Sequence, residues 1–124
     1  MTNEIRVVIA DDHKLMLDSL AQALDSVPDI RVVATVTDGA DLADAVARTN
    51  PDVLLVDVEM PGQSGLSAIA QLDELPTTLI VTMHTAEEYG ATAREAGARG
   101  FLSKGLPLPQ LAAAIRAVHD GADL

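Results

Sequence analysis

Cysteine and tryptophan are absent from the 124 residues, and one tyrosine and one phenylalanine are the whole aromatic complement. Without cysteine the chain has neither disulfide staples nor thiol chemistry. Apolar residues still make up 48%, so the core must be built from Leu, Val, Ile and Ala, and Tyr89 and Phe101 become positions that need a reason. Basic residues are also scarce: Lys and Arg number 8 against 19 Asp and Glu, a net charge of −11. Such a field repels phosphate backbones, so no direct nucleic-acid binding is expected of this chain. Long apolar runs are missing too. Nothing approaches the roughly 20 residues of a membrane span, and Met1-Thr2-Asn3-Glu4 lacks the basic region of a signal peptide. The expectation is a soluble cytoplasmic protein with no membrane partner. Its length suits one domain with one real core.

What is present is alternation. Ile5 to Ala10 reads as a first buried strand, closed by Asp11 and Asp12. From about His13 to Ser26 the period changes, with Leu17, Leu20, Ala21 and Leu24 on one stripe of a helix that Pro28 and Asp29 end. Ile30 to Val36 is a second strand. Asp38 is placed to cap a helix from about Gly39 to Thr49, with Leu42 and Val46 inward and Asn50-Pro51 as its stop. Val53-Leu54-Leu55-Val56 is a third strand, buried on both faces. Ser64 can cap a third helix carrying Leu66, Ile69, Ala70 and Leu72. Thr78 to Met83 is a fourth strand. Thr85-Ala86-Glu87-Glu88 has the capping-box form and opens a helix ending near Gly97. Its inner residues are mostly alanines, which favour helix but bury little area, so it should be well formed and weakly anchored. Phe101 to Ser103 is a short fifth strand. Pro107 to His119 is the last helix, with Leu108, Leu111, Ala112 and Ile115 on one face. Five strand–helix alternations with short connections predict a single α/β domain, a doubly wound parallel sheet of (βα)5 form.

In such a sheet, chemistry collects at the carboxyl ends of the strands. The third strand stops on Asp57 and breaks into Val58-Glu59-Met60-Pro61-Gly62-Gln63-Ser64-Gly65. Aspartate is also an ordinary turn residue. The ends of the first, third, fourth and fifth strands share one edge, which gathers Asp11, Asp12 and Asp57 with Thr82 and Lys104 nearby. Two carboxylates ~4 Å apart repel by roughly 4 kcal/mol at a surface-like dielectric, a cost that calls for a cation. Oxygen ligands on a wet edge suit Mg2+, which keeps waters and takes a couple of carboxylates plus a phosphate. A bland alternative has Asp11 and Asp12 merely capping the first helix, which explains one of them well and two poorly. Magnesium beside a strand-ending carboxylate suggests phosphoryl chemistry, with Asp57 either a ligand or a nucleophile forming an aspartyl phosphate. Lys104 and the Thr82 hydroxyl would then stabilise charge on the transferring oxygens. His13, His84 and His119 fall at different element ends, and nothing gives them metal-ligand spacing.

From Ile5 to about His119 the chain resembles the receiver domain of two-component response regulators. The match rests on Asp11-Asp12 after the first strand, Asp57 followed by Met60-Pro61-Gly62 and Gly65, Thr82 ending the fourth strand, and Phe101-Leu102-Ser103-Lys104. None of these is specific alone; in this order at strand ends they are. The His13 start, Thr82-Met83-His84 and the Ala114 to Gly121 tail are most similar to the LuxR-type transcriptional subgroup. The resemblance implies the flavodoxin-like strand order 2-1-3-4-5, with residues 1–124 forming the receiver. It implies that Asp57 is the phosphoacceptor for a histidine kinase phosphohistidine. Asp12 and Asp57 would bind Mg2+ directly, Asp11 largely through water and Glu59 through its backbone carbonyl. Thr82 and Lys104 would contact the phosphoryl group, and Thr82 and Phe101 would form the switch pair. A homodimer on phosphorylation, and a helix-turn-helix domain beyond Leu124 in a longer protein, are expected. The domain would phosphorylate and dephosphorylate itself without being a turnover enzyme. Gly105 stands where many receivers have proline, so no cis peptide is assumed there and a looser lysine loop is expected. The side chains of Glu59 and His84 are candidates for tuning water access to the phosphoryl group.

Two rivals are weaker on the residues. A haloacid-dehalogenase-type phosphatase wants a second aspartate two places after its nucleophile, where this chain has Glu59, and usually a cap insertion. A dinucleotide binder wants a glycine fingerprint where Ala10-Asp11-Asp12 stands. A receiver that acts as an interaction module without phosphorylation keeps all the same residues.

Overall fold

The computed structural model describes residues 4–60, 64–83 and 86–121, the side chains of 86–89 excepted. Five strands, β1 (Ile5–Ala10), β2 (Ile30–Val36), β3 (Val53–Val56), β4 (Thr77–Thr82) and β5 (Gly100–Ser103), form one parallel sheet in the order β2-β1-β3-β4-β5. Between and after them come α1 (Lys14–Asp25), α2 (Leu42–Thr49), α3 (Gly65–Ala70), α4 (Ala86–Glu95) and α5 (Leu108–His119). The alternating pattern thus resolves into the doubly wound, flavodoxin-like architecture.

Strand side chains alternate between two apolar layers, as the period of two requires. Val7, Ile9, Val53, Leu55, Leu79 and Val81 face the layer completed by α1 and α5, through Leu17, Leu24, Leu111 and Ile115. Val8, Ala10, Leu54, Val56 and Ile80 face the other layer, completed by α2, α3 and α4 through Leu42, Ala45, Ile69 and Ala93. Both layers are aliphatic. Phe101 is half-buried on the α4 side, level with Ile80 of the neighbouring strand.

Local chemistry sets some of the helix boundaries. Ser64 accepts the backbone N–H of Ser67 at 3.1 Å and caps α3. Asp38 accepts Ala40 N–H at 2.9 Å, but what it caps is a 3-10 turn over Gly39–Asp41 that leads into α2. Asn50 closes α2 in the left-handed conformation at φ 49°. α3 stops at Ala70, short of Leu72, which still packs on the same layer from the following turn. β4 begins and ends one residue earlier than its apolar run suggests, because Thr77 pairs with Val53, and Met83 is left exposed. In α4 the described side chains from Gly90 to Glu95 include one buried residue, Ala93. The expected capping box at Thr85 to Glu88 and the side chain of Tyr89 lie outside the described residues.

Candidate functional site

Register brings the acids together. Ala10 of β1 is level with Val56 of β3, so the next residue on each strand, Asp11 and Asp57, leaves the sheet at the same height. Asp57 N–H donates to the carbonyl of Ala10 at 2.9 Å and Asp11 N–H to that of Val36 at 3.0 Å, which continues the ladder one step past the strand ends. On the other side Thr82 is level with Ser103, and Lys104 N–H donates to the Thr82 carbonyl at 3.0 Å. Asp11, Asp57 and Thr82 are buried.

Lys104 reaches across this edge. Its Nζ lies 2.7 Å from Asp57 Oδ2 and 2.8 Å from Asp11 Oδ2, and its side chain is 3% exposed. Burial alone would pull the ammonium down. Hydrogen bonds to Asp11 and Asp57, with the charges of both, outweigh it and hold Lys104 above the ordinary lysine value. One ammonium against two buried carboxylates and the neighbouring Asp12 leaves the pocket short of positive charge. The other Asp57 oxygen, Oδ1, accepts the backbone N–H of Glu59 at 3.2 Å, while Glu59 itself is an exposed residue.

The helix-cap explanation of Asp11 and Asp12 does not hold. The residue at the N-cap of α1 is His13, whose side chain makes no capping bond. Asp11 Oδ1 accepts His13 N–H at 2.9 Å, outside the helix. His13 also corrects the expectation that the histidines stand apart from any ligand cluster. Its Nδ1 is 3.2 Å from Asp11 Oδ1 and 3.1 Å from Asp12 Oδ1. Asp11, Asp12, His13 and Asp57 each offer a ligand atom within 4.8 Å of the others. Three carboxylates among four donors fit a hard divalent cation such as Mg2+. The cue was adjacency: a residue directly after two strand-end aspartates stays at the same edge.

Gly65 has a steric role that its place in a turn-rich motif did not reveal. Its N–H donates to the Val58 carbonyl at 2.9 Å. A methyl group there would overlap the backbone carbonyl of Asp57 and stand 2.7 Å from Val56 Cγ1. Glycine is what lets α3 lie against the backbone where the third strand runs out at Asp57. At Lys104–Gly105 the peptide is trans, and Gly105 N–H donates to Ser103 Oγ at 3.2 Å. His84 and the Pro61-Gly62-Gln63 segment lie outside the described residues, and His119 ends α5 away from the pocket's residues. No described helix is long and apolar enough to cross a membrane.

The response regulator receiver domain model matches residues 7–116. The oxygen regulatory protein NreC of Staphylococcus epidermidis is 40% identical over 121 residues, covering 94% of this chain and 56% of the relative. NreC of Staphylococcus aureus is 41% identical with the same coverage. The chain therefore spans little more than half the length of these curated relatives. Among solved structures, the signal receiver domain of the response regulator NarL from Mycobacterium tuberculosis aligns at a TM-score of 0.89 and 31% identity, covering 96% of this chain and 98% of that one. A LuxR-family two-component response regulator from Aurantimonas sp. aligns at 0.90 and 28% identity, covering 97% and 88%. On matched length, identity and fold alike, the chain belongs to the response regulator receiver domain family, on the branch of the LuxR-type regulators.

Proposed function

We propose that this chain is a phosphorylation-controlled switch in which Asp57 accepts a phosphoryl group from the phosphohistidine of a histidine kinase. One oxygen of the Asp57 carboxylate attacks phosphorus as the nitrogen–phosphorus bond of the donor breaks. The electron pair of that bond stays with the departing imidazole, and Asp57 becomes an acyl phosphate. A Mg2+ ion held by Asp11, Asp12, Asp57 and the backbone carbonyl of Glu59 would, when bound, supply positive charge to the phosphoryl oxygens. The Glu59 N–H orients the carboxylate. Lys104 follows the charge from Asp57 Oδ2 to a phosphoryl oxygen, and the Thr82 hydroxyl bonds another. Glu59, two places after the acceptor, and His84, two places after Thr82, set the access of hydrolytic water, so phosphoryl gain and loss both belong to this domain and it turns over no outside substrate.

The observation that carries this reading is Lys104 bridging two buried carboxylates. A strand-end aspartate kept for a turn would have no use for that arrangement. Once phosphorylated, Asp57 draws Thr82 inward, Phe101 turns into the space released, and α4 with β5 shifts, since Ala93 is the one buried residue among the described side chains of α4. If the active form is a 1–10% minority beforehand, a few kcal/mol of preferential binding inverts the ratio. The altered face, either α4–β5–α5 or α1–α5, then forms a homodimer. In a longer cytoplasmic protein this would bring together helix-turn-helix domains following the receiver and control transcription; the greater length of the curated relatives supports that arrangement.

Intact-mass measurement after incubation with acetyl phosphate and Mg2+ tests the chemistry. The wild type gains one phosphoryl group and Asp57→Asn gains none. A gain that survives the substitution overturns the assignment.

A further inference from the structure

Lys104 places its ammonium 2.7 Å from Asp57 Oδ2 and 2.8 Å from Asp11 Oδ2, at the end of a flexible four-carbon stem. Packing does not fix that stem on every side. A cavity of about 60 Å3 borders it, walled by Leu55 and Val81 of the sheet, Leu20 of α1 and Leu111 of α5. The next residue, Gly105, does not have a positive φ, and a methyl group there would meet Ser103 Oγ only at 3.7 Å, an ordinary contact. Neither conformation nor crowding calls for glycine at this point, so its freedom loosens the turn. The restraint comes from Ser103. Its carbonyl accepts Leu106 N–H at 3.1 Å and closes a turn with Lys104 and Gly105 at the centre. Its hydroxyl accepts Gly105 N–H at 3.2 Å, from the peptide group directly after Lys104. The N–H of Lys104 itself is held by the Thr82 carbonyl at 3.0 Å.

We infer that Ser103 is a positioning residue for phosphoryl transfer: its hydroxyl stiffens the turn that carries Lys104 and so fixes where the ammonium stands. The inference rests on the proposed phosphoacceptor site and adds to it a residue that acts only through Lys104. Groups that stabilise a transferring phosphoryl do most when they are already in place, because nothing then has to reorganise during the reaction. An ammonium on a loose turn samples several positions, and a misplacement of about 1 Å is enough to slow a reaction severely. Gly105 stands where many receivers have proline, whose ring fixes φ. Here the hydroxyl on the other side of the lysine takes over that restraint. Ser103 is exposed, so removing its hydroxyl leaves both apolar layers intact.

The test compares wild type, Ser103→Ala and Ser103→Thr by two measurements on the whole chain. The first is the rate of phosphoryl uptake from acetyl phosphate with Mg2+, followed by intact mass. The second is solvent exchange of the Lys104 ammonium protons, followed by nitrogen-15 NMR at one fixed pH without a phosphoryl donor. In Ser103→Ala we expect uptake to slow about fivefold, the ratio that one ordinary hydrogen bond governs. Ammonium exchange should quicken in the same variant. Ser103→Thr keeps the hydroxyl and should restore both. An unchanged uptake rate in Ser103→Ala, a slower rate with unchanged ammonium exchange, or a loss that threonine does not restore would overturn the inference. If the wild type takes up no phosphoryl group, the phosphoacceptor reading fails, and the exchange comparison still decides whether Ser103 holds Lys104.

Discussion

At the scale of single residues, Lys104 concentrates the most physics. Its ammonium is held above the ordinary lysine value because the attraction of Asp11 and Asp57 exceeds the penalty of burial. A group whose value is higher folded than unfolded stabilises the fold below its unfolded value and stops doing so as pH rises through the folded one. The native state should thus lose a contribution in alkali, beginning above about 10.4, the free lysine value. Lys104→Met, which cannot titrate, should be less stable near neutrality and show a flatter alkaline decline. Urea unfolding on both sides of that pH compares them, and parallel declines would assign the effect to other groups. Asp11, Asp12, Asp57, Thr82 and Lys104 were legible because each terminates or directly follows an apolar strand, and strand ends in a parallel sheet have one destination. His13 was not. Strand and helix periods say which element a residue belongs to, while the direction of a ring at a helix cap depends on backbone angles that no periodicity encodes.

Among the elements, α3 is tied to the chemistry by van der Waals contact. Gly65→Ala would press a methyl group into the Asp57 carbonyl. Overpacking of this kind costs about 1–3 kcal/mol, here with backbone as the obstacle. We expect a loss of stability in that range together with slower phosphoryl uptake from acetyl phosphate; denaturant unfolding and intact-mass time courses measure the two. Loss of stability with an unchanged rate would show that the acceptor backbone does not yield. The strands were the easiest elements to place, since short β-branched runs bounded by Asp, Pro or Gly leave little choice. The ends of β4 and α3 were harder. A strand's limit is set by its partner in the ladder, as Thr77 is by Val53, and partners are not visible within one segment. In α2, Ala45 is fully buried beside Leu42, a place that hydrophobicity alone gives to larger residues.

Taken whole, the molecule carries a net charge of −11, which opposes association of two copies. Any dimer formed on phosphorylation must overcome that repulsion, so added salt should strengthen it by screening. Sedimentation with beryllofluoride and Mg2+ at low and high salt is the check; monomers under all conditions would remove dimerisation from the mechanism. The sheet has a further consequence. Since each strand sends alternate side chains to opposite sides, Ile69 and Ile115 belong to separate apolar bodies. Ile69→Val and Ile115→Val should each cost about 0.5–1.5 kcal/mol, and the double variant their sum to within roughly 0.5 kcal/mol. Leu17 with Ile115, on the same side, should depart from additivity. The five strands thus act as a bulkhead: damage on one side is felt across it only through the backbone. Mutations can accumulate in one compartment without compounding those in the other, and the rim where the two compartments meet is where the acids stand.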